Sequence, residues 1–579
     1  MSSLQHALQE HPVRPRARRP VVGPSNPRKM HPPTGHACKR CRRRKTRCDG
    51  RRPVCGRCTE ANAQAECDYG EGRRHTTTNQ MLEDAIEIVQ ARVHELENTP
   101  KIRDRAGSNA PASSSRPWGS RDGEEATETL WWLSPEPPRD FRAFILPPFF
   151  QYASDIGFYL NRDRFTTALD SLDIDERPLP ALVSAVYLWG IHLSGSRELQ
   201  EHEDVFLRRA TMQASRSFGA PNAAQQQSRV VLQTMQAHSL LASYLIMQGK
   251  LSDARIHVST ILPLGLASGL SKIRTLRVWE IPSTALPAPL DSVEEGERID
   301  ASWTAVFLDK GVAGMVGAMP DIACRKRIPG AQQDSPWPLE DDAYAEGGYP
   351  ADVRTELTIS RYIKGEGPPI SETPSTKELL VRATILWELA SHLILTAQQR
   401  LEDMTREESL HIPDDVASLD RLLDALRTSL VSPRDLPNTT TSKQRALFVA
   451  HTLTYCGILV LHAPFANMGN GTSRTKALLF ARLIFKLASE AGIGAETAYI
   501  CSVVATPWLR AGQYLMKEIR YWMRCPLAAD GADAELKAIF LDGLQAMRPL
   551  RRSSAIIDQN LQLLETEYAT LSPGTGYVI

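Results

Sequence analysis

The stretch "CKRCRRRKTRCDGRRPVCGRCTEANAQAEC", residues 38–67, sets the reading of the chain, because six of its thirty positions are cysteine and ten are Lys or Arg. The cysteines form an internal repeat. Cys38, Cys41 and Cys48 stand at C-x2-C-x6-C, and after six residues Cys55, Cys58 and Cys67 follow at C-x2-C-x8-C. No apolar export segment follows the starting Met, so the expected compartment keeps thiols reduced and the cluster points to metal rather than to disulfides. A C-x2-C pair closes two thiolates on one ion, which suits tetrahedral zinc. Each half supplies three ligands where a closed structural site needs four. Sharing two thiolates between two ions resolves the count, and the symmetry of the repeat puts the bridges at Cys38 and Cys55.

Charge has two jobs in such a cluster. Six thiolates around two Zn2+ ions leave a charge of −2, which nearby Arg and Lys offset while favouring the thiolate form. Ten basic residues far exceed that need, so the surplus is expected to face outward. The whole chain supports this division. Its net charge is only +1, yet residues 1–75 hold 18 Lys or Arg against 6 Asp or Glu, leaving 50 basic and 61 acidic residues for the remainder of the 579. A basic head on a mildly acidic body implies a polyanion partner for the head alone.

The six spacings, the basic run "CRRRKTRC" and Pro53 two residues before the fourth cysteine resemble the fungal binuclear zinc cluster (Zn2Cys6) family of transcription factors. The resemblance covers about thirty residues and implies two Zn2+ per chain held by Cys38, Cys41, Cys48, Cys55, Cys58 and Cys67. "RRRKTR", between Cys41 and Cys48, contains good helix formers without Gly or Pro. In the family this stretch is a short helix whose C-terminal end enters the major groove of double-stranded DNA. By position, the resemblance makes Lys45 the main base-contacting residue of a CGG-type triplet, with Arg44 beside it. Guanine O6 and N7 accept from such donors. Arg42 and Arg47 are expected on phosphates, which set register without reading sequence. "RPRARRP" at 14–20 is broken by prolines and stays open between a nuclear import signal, a DNA-tracking arm and a plain basic tail.

After a Gly-containing linker, "NQMLEDAIEIVQARVHELE" shows a heptad with Asn79, Ile86 and Val93 at a and Leu82, Val89 and Leu96 at d, ended by Pro100. It is short for a coiled coil, and packing on its own chain is the alternative. Placed as in the family, it predicts a homodimer whose linker sets the separation of two triplets. Residues 98–128 are polar, rich in Gly, Ser and Pro, and read as a disordered linker.

From about Thr129 to Tyr568 apolar residues recur at three- and four-residue spacing, which predicts an all-α body. "ALFVAHTLTYCGILVLHAPF" at 446–465 carries His451, Thr452, Thr454 and His462, and reads as a buried helix rather than a membrane span. Within the body, Glu297, Arg298, Trp303, Asp309 and Pro320 stand where the family's middle homology region keeps its recurring residues, although Trp303 is single and Lys310 replaces the commoner Arg. Arg298 and Asp309 are candidates for a pocket or for a structural buried ion pair. "GNGTSRTK" at 469–476 lacks the spacing of a phosphate loop, His451 and Cys456 share one apolar helix, and no nucleophile–base set emerges, so catalysis is not expected.

The expected organisation is therefore mainly all-α: a disordered basic arm (1–35), a small Zn2Cys6 domain (36–70), a linker (71–78), a coiled-coil helix (79–97), a disordered linker (98–128) and an all-α regulatory domain (129–579). The expected function is that of a nuclear, zinc-dependent regulator of RNA polymerase II transcription. Its partners would be DNA, a second copy and the transcription machinery or co-regulators, with no membrane. A zinc-scaffolded interaction protein that binds nucleic acid non-specifically is the alternative.

Overall fold

The computed structural model describes residues 38–46, 48, 49, 51, 53–64, 67, 132, 134, 137–216, 224–317, 331–366, 374–402, 411–490, 497–524 and 532–571. The expected arm, the heptad from Asn79 to Leu96 and both linkers lie outside the described residues. Among the described residues the ordered elements are helices, and Thr275 and Thr355 form one isolated parallel bridge. The chain divides into two compact units, Met1–Gly123 and Glu124–Ile579.

Among its described residues the first unit holds two five-residue helices, α1 (Lys39–Arg43) and α2 (Gly56–Glu60). Helices so short do not persist on propensity alone. Their core is sulfur: Cys38, Cys41, Cys55 and Cys58 are buried, with Cys48, Val54 and Cys67 packed around them. The α1 helix is shorter than "RRRKTR" suggests. It ends at Arg43 because Lys45 takes a left-handed conformation (φ 51°) and the Thr46 N–H closes on the Cys41 carbonyl at 3.0 Å. That pair of features is a helix stop that turns the chain back toward Cys48.

The second unit begins with α3 (Arg139–Gln151), α4 (Arg162–Leu169), α5 (Pro180–Leu193), α6 (Arg197–Gln200), α7 (Glu203–Arg216), α8 (Ala224–Met247) and α9 (Leu251–Ala267). It continues through α10 (Ser292–Val316), α11 (Asp341–Ala345), α12 (Thr358–Lys364), α13 (Thr376–Glu402), α14 (Asp414–Ser429) and α15 (Thr441–Asn467). The last elements are α16 (Gly471–Glu490), α17 (Ala505–Arg524), α18 (Ala532–Met547) and α19 (Ala555–Ala569). Helix α15 contains the apolar run and is buried on every side, packed by α13, α14, α16 and α17. An all-round apolar helix is stable in water only when so surrounded. Among the described residues three segments are long and apolar enough to cross a membrane, Gln227–Met247, Thr376–Ala397 and Thr441–Asn467, and 89%, 72% and 89% of their apolar windows are buried inside this unit.

Two apolar clusters fill the unit, one around α3, α5, α7 and α8 and a larger one around α10 and α13 to α19. Arg445, at the start of α15, ties the two regions. It is buried, donates to Asp155 Oδ2 at 2.9 and 2.7 Å and lies over the Tyr152 ring at 4.6 Å. Burial pushes the Asp155 carboxyl up to about 6 although the arginine draws it down. Such a pair is costly to break, since either partner alone would be a buried unpaired charge.

Close helix approach in the larger core depends on missing side chains. Trp387 of α13 is fully buried, and a Cβ at Gly314 of α10 would lie 2.8 Å from its ring. Gly314→Ala should therefore destabilise the full chain by about 1–3 kcal/mol despite alanine's better helix propensity. Denaturant midpoints should show this cost shrinking in a Trp387→Leu background. An equal cost in both backgrounds would mean that the ring is not what the new methyl strikes.

Candidate metal centre and nucleic-acid interface

The six cysteine Sγ atoms gather into two overlapping groups, Cys38–Cys41–Cys48–Cys55 and Cys38–Cys55–Cys58–Cys67. Within each group all Sγ atoms lie within 4.8 Å of one another, and Cys38 and Cys55 belong to both. The shared pair is 3.8 Å apart, Cys38 is 3.7 Å from Cys58, and Cys41 is 3.7 Å from Cys55. Four sulfurs around zinc at about 2.3 Å make a tetrahedron with edges of about 3.8 Å. The donors thus fit two zinc ions in tetrahedra that share the Cys38–Cys55 edge.

Local structure aims these sulfurs. The first C-x2-C pair lies at the start of α1 and the second at the start of α2, so each helix begins at the cluster. The Cys41 N–H donates to Cys38 Sγ at 3.4 Å and the Cys55 N–H to Cys67 Sγ at 3.3 Å. Asp49 anchors α2 by accepting the Gly56 N–H at 3.0 Å, and a Cβ at Gly56 would strike its carboxylate at 2.6 Å. The thiols influence one another strongly. Burial raises Cys38, but the Cys41 N–H and the thiols of Cys41, Cys58 and Cys67 outweigh it and bring Cys38 down to about 6. Burial and Cys38 push Cys41 up to about 11. One thiolate suppresses its neighbours, and divalent cations are what allow all six to ionise together.

Residues 36–76 match the fungal Zn(2)-Cys(6) binuclear cluster domain. The chain carries a binuclear zinc cluster. The matched domain is that of fungal zinc cluster DNA-binding transcription factors, and such a domain takes two zinc ions. No curated protein matches the chain.

The basic residues of the zinc cluster divide between the two jobs that charge can do. Arg40 Nη1 points inward, 3.9 Å from Cys58 Sγ, where it offsets thiolate charge. Arg43, Arg44 and Lys45 are exposed at the closing turn of α1, and Arg51 and Arg57 are exposed elsewhere. Arg57 lies 3.6 Å from Glu60 and Arg51 3.8 Å from Asp49, both weak contacts in solvent. Arg42 belongs to α1, but its side chain, like the whole of Arg47, lies outside the described residues. Sequence spacing carried no sign of the left-handed Lys45 or of the Asp49 clamp on Gly56.

In the helical unit the middle-region residues fall on α10. Arg298 is buried and pairs with Glu294 one turn earlier at 2.6 Å, and it also donates to the Ser228 hydroxyl and the Pro287 carbonyl. Asp309 is buried 3.9 Å from Lys310, whose Nζ is 3.5 Å from Glu388. Both are thus in buried ion pairs, with different partners. Trp303 is buried, donates to the Pro336 carbonyl and stacks on Trp337 at 4.5 Å. Pro320 lies outside the described residues.

The "GNGTSRTK" stretch opens α16. Asn470 accepts the Ser473 N–H, and Lys476 is held by Asp420 and Asp424. His451 places Nε2 2.7 Å from the Val431 carbonyl inside the core, and burial lifts the Cys456 thiol to about 11.

Elemental analysis of purified protein should return two zinc atoms per chain. Cys38→Ser or Cys55→Ser should disturb both ions, whereas Cys67→Ser should mainly loosen one. A count of one or three would sink the shared-edge arrangement.

Proposed function

We propose that this protein is a nuclear, sequence-specific regulator of RNA polymerase II transcription that binds CGG-type triplets as a homodimer. Cys38, Cys41, Cys48, Cys55, Cys58 and Cys67 are its zinc ligands, with Cys38 and Cys55 bridging. The observation that carries the reading is the pair of thiol tetrads with a common edge, beside an exposed basic turn at Arg43, Arg44 and Lys45. A rigid metal core presents that turn as a fixed projection, and a fixed projection is what reading base edges requires. Lys45 and Arg44 take the base-reading role, and Arg42 and Arg47 the phosphate role. The heptad from Asn79 to Leu96 joins two chains, residues 68–78 space the two readers, and the helical unit from Glu124 onward regulates them.

Lys45→Ala should cost about 1–3 kcal/mol on a CGG-type site and relax preference at the contacted base pairs. Arg47→Ala should weaken all DNA alike and shallow the salt slope by about one. Titrations on specific and scrambled DNA at several salt concentrations measure both. A specific reader keeps a gap between the two DNAs, whereas non-specific binding loses both affinities together, which would favour a zinc-scaffolded interaction protein.

Val89 and Leu96 replaced together by Glu should separate the dimer, since facing like charges cannot occupy a dry seam and so short a coil has little stability to lose. Binding to a two-triplet site should then fall toward the one-triplet level, because the second contact is no longer held at high effective concentration. Sedimentation of the full chain beside DNA binding tests this. A double variant that remains dimeric would move dimerisation to the helical unit.

A further inference from the structure

The helical unit contains a cleft of about 390 Å³ with no part in the zinc cluster, within the usual size of small-molecule pockets. It opens between the 154–159 loop, one face of α10 and the first turns of α13 and α15. From α10 come Asp300, Trp303, Thr304, Phe307 and Leu308, at the three- and four-residue spacing of a single helix stripe. Upstream the same stripe supplies Gly296 and Glu297 to an adjoining cavity of about 230 Å³. Asp300 lines both cavities.

The charges around Asp300 decide what the cleft takes. Asp300 is 5% exposed, and its Oδ2 accepts from Lys377 Nζ at 2.6 Å. Its Oδ1 is buried and has no hydrogen-bond partner among the described residues. A buried carboxylate oxygen left so is costly unless something donates to it. The cations nearby are already engaged. Lys377 also serves Asp341, Lys443 lies 3.8 Å from Glu340, and Arg445 is held by Asp155. Glu340 in turn accepts the N–H and hydroxyl of Thr376 at the start of α13. An anion would find no uncommitted positive group here, whereas a donor meets a carboxyl with one oxygen still unpartnered. Trp303, Phe307, Phe158, Leu380 and Val449 give the cleft an apolar wall.

We propose that this cleft binds a small amphipathic cation, a protonated amine on an aromatic body, with the ammonium against the Asp300 carboxyl, whose unpartnered Oδ1 it reaches when the carboxyl turns, and the body lying against Phe158, Phe307 and Leu380. The protonation of the neighbours agrees with this. Burial pushes Asp300 up to about 6 despite Lys377, and pushes Glu297 up to about 7 although it accepts the Asn161 N–H. A cation bound beside Asp300 would draw its carboxyl back down. The proposal does not depend on how the cluster reads DNA.

Three probes sharing one ring test it by calorimetric titration of the full zinc-loaded chain: tryptamine as cation, tryptophol as neutral alcohol and indole-3-propionate as anion. Tryptamine should bind about tenfold more tightly than tryptophol, the ratio one charge-assisted hydrogen bond supplies, with the anion weakest. Asp300→Asn should abolish the cation's advantage and leave tryptophol unchanged. Ala446→Phe fills the apolar side while keeping the Asp300–Lys377 pair, and should remove binding of both without altering DNA affinity. This second variant keeps the test decisive if Asp300→Asn does not fold. Equal affinity for all three probes, no binding at millimolar concentration, or unaltered tryptamine binding by Ala446→Phe would each overturn the proposal.

Discussion

The approach of Cys38 to Cys55 is the contact on which the small unit depends. These two sulfurs belong to both thiol groups, and each introduces one of the two short helices. Among the described residues the buried members of this cluster are cysteines, with Val54 packed against them, so sulfur takes the place of an apolar core. Six thiols at this spacing resist joint ionisation, as the opposite shifts of Cys38 and Cys41 display. Zinc reverses the sign of that interaction, turning mutual repulsion into common ligation. Folding of the basic head and metal occupancy are then one equilibrium, and the orientation of Arg44 and Lys45 follows from it.

The helical unit is stabilised on the opposite principle. Its buried surface is apolar and large, with Trp189, Trp303, Trp387 and Trp508 fully enclosed. Charges inside it come in pairs or small networks. Arg445 with Asp155, Arg298 with Glu294 and Lys310 with Glu388 each place a cation where an unpaired charge would not be tolerated. Asp300, which lines the cleft, has one oxygen on Lys377 and the other without a hydrogen-bond partner among the described residues.

Much of this was legible in the sequence because its signals are local. Cysteine spacing is a one-dimensional pattern, and its symmetry alone pointed to Cys38 and Cys55. The helical body was legible from periodicity, and the enclosure of α15 from an apolar run too interrupted by His and Thr for lipid. What sequence could not supply is whatever depends on chain returns across long separations. The end of α1 at Arg43 is set by the return of Cys48 to the cluster, not by the helix propensity of "RRRKTR". Two further partners of Arg298, beyond Glu294 one turn earlier, come from α8 and from the 287 carbonyl, which spacing within α10 does not reveal. The cleft draws on segments from Ser154 to Cys501, and no local motif announces it.

The left-handed backbone of Lys45 has a consequence for how this domain can vary. A lysine in that conformation gives up roughly 1–2 kcal/mol that glycine would not. Selection for robustness alone would drift this position toward Gly or Asn, which make equally good helix stops and carry no ammonium. Arginine would keep both the strain and the charge. If Lys45 reads bases as proposed, position 45 is a place where folding and recognition pull on one residue in opposite directions.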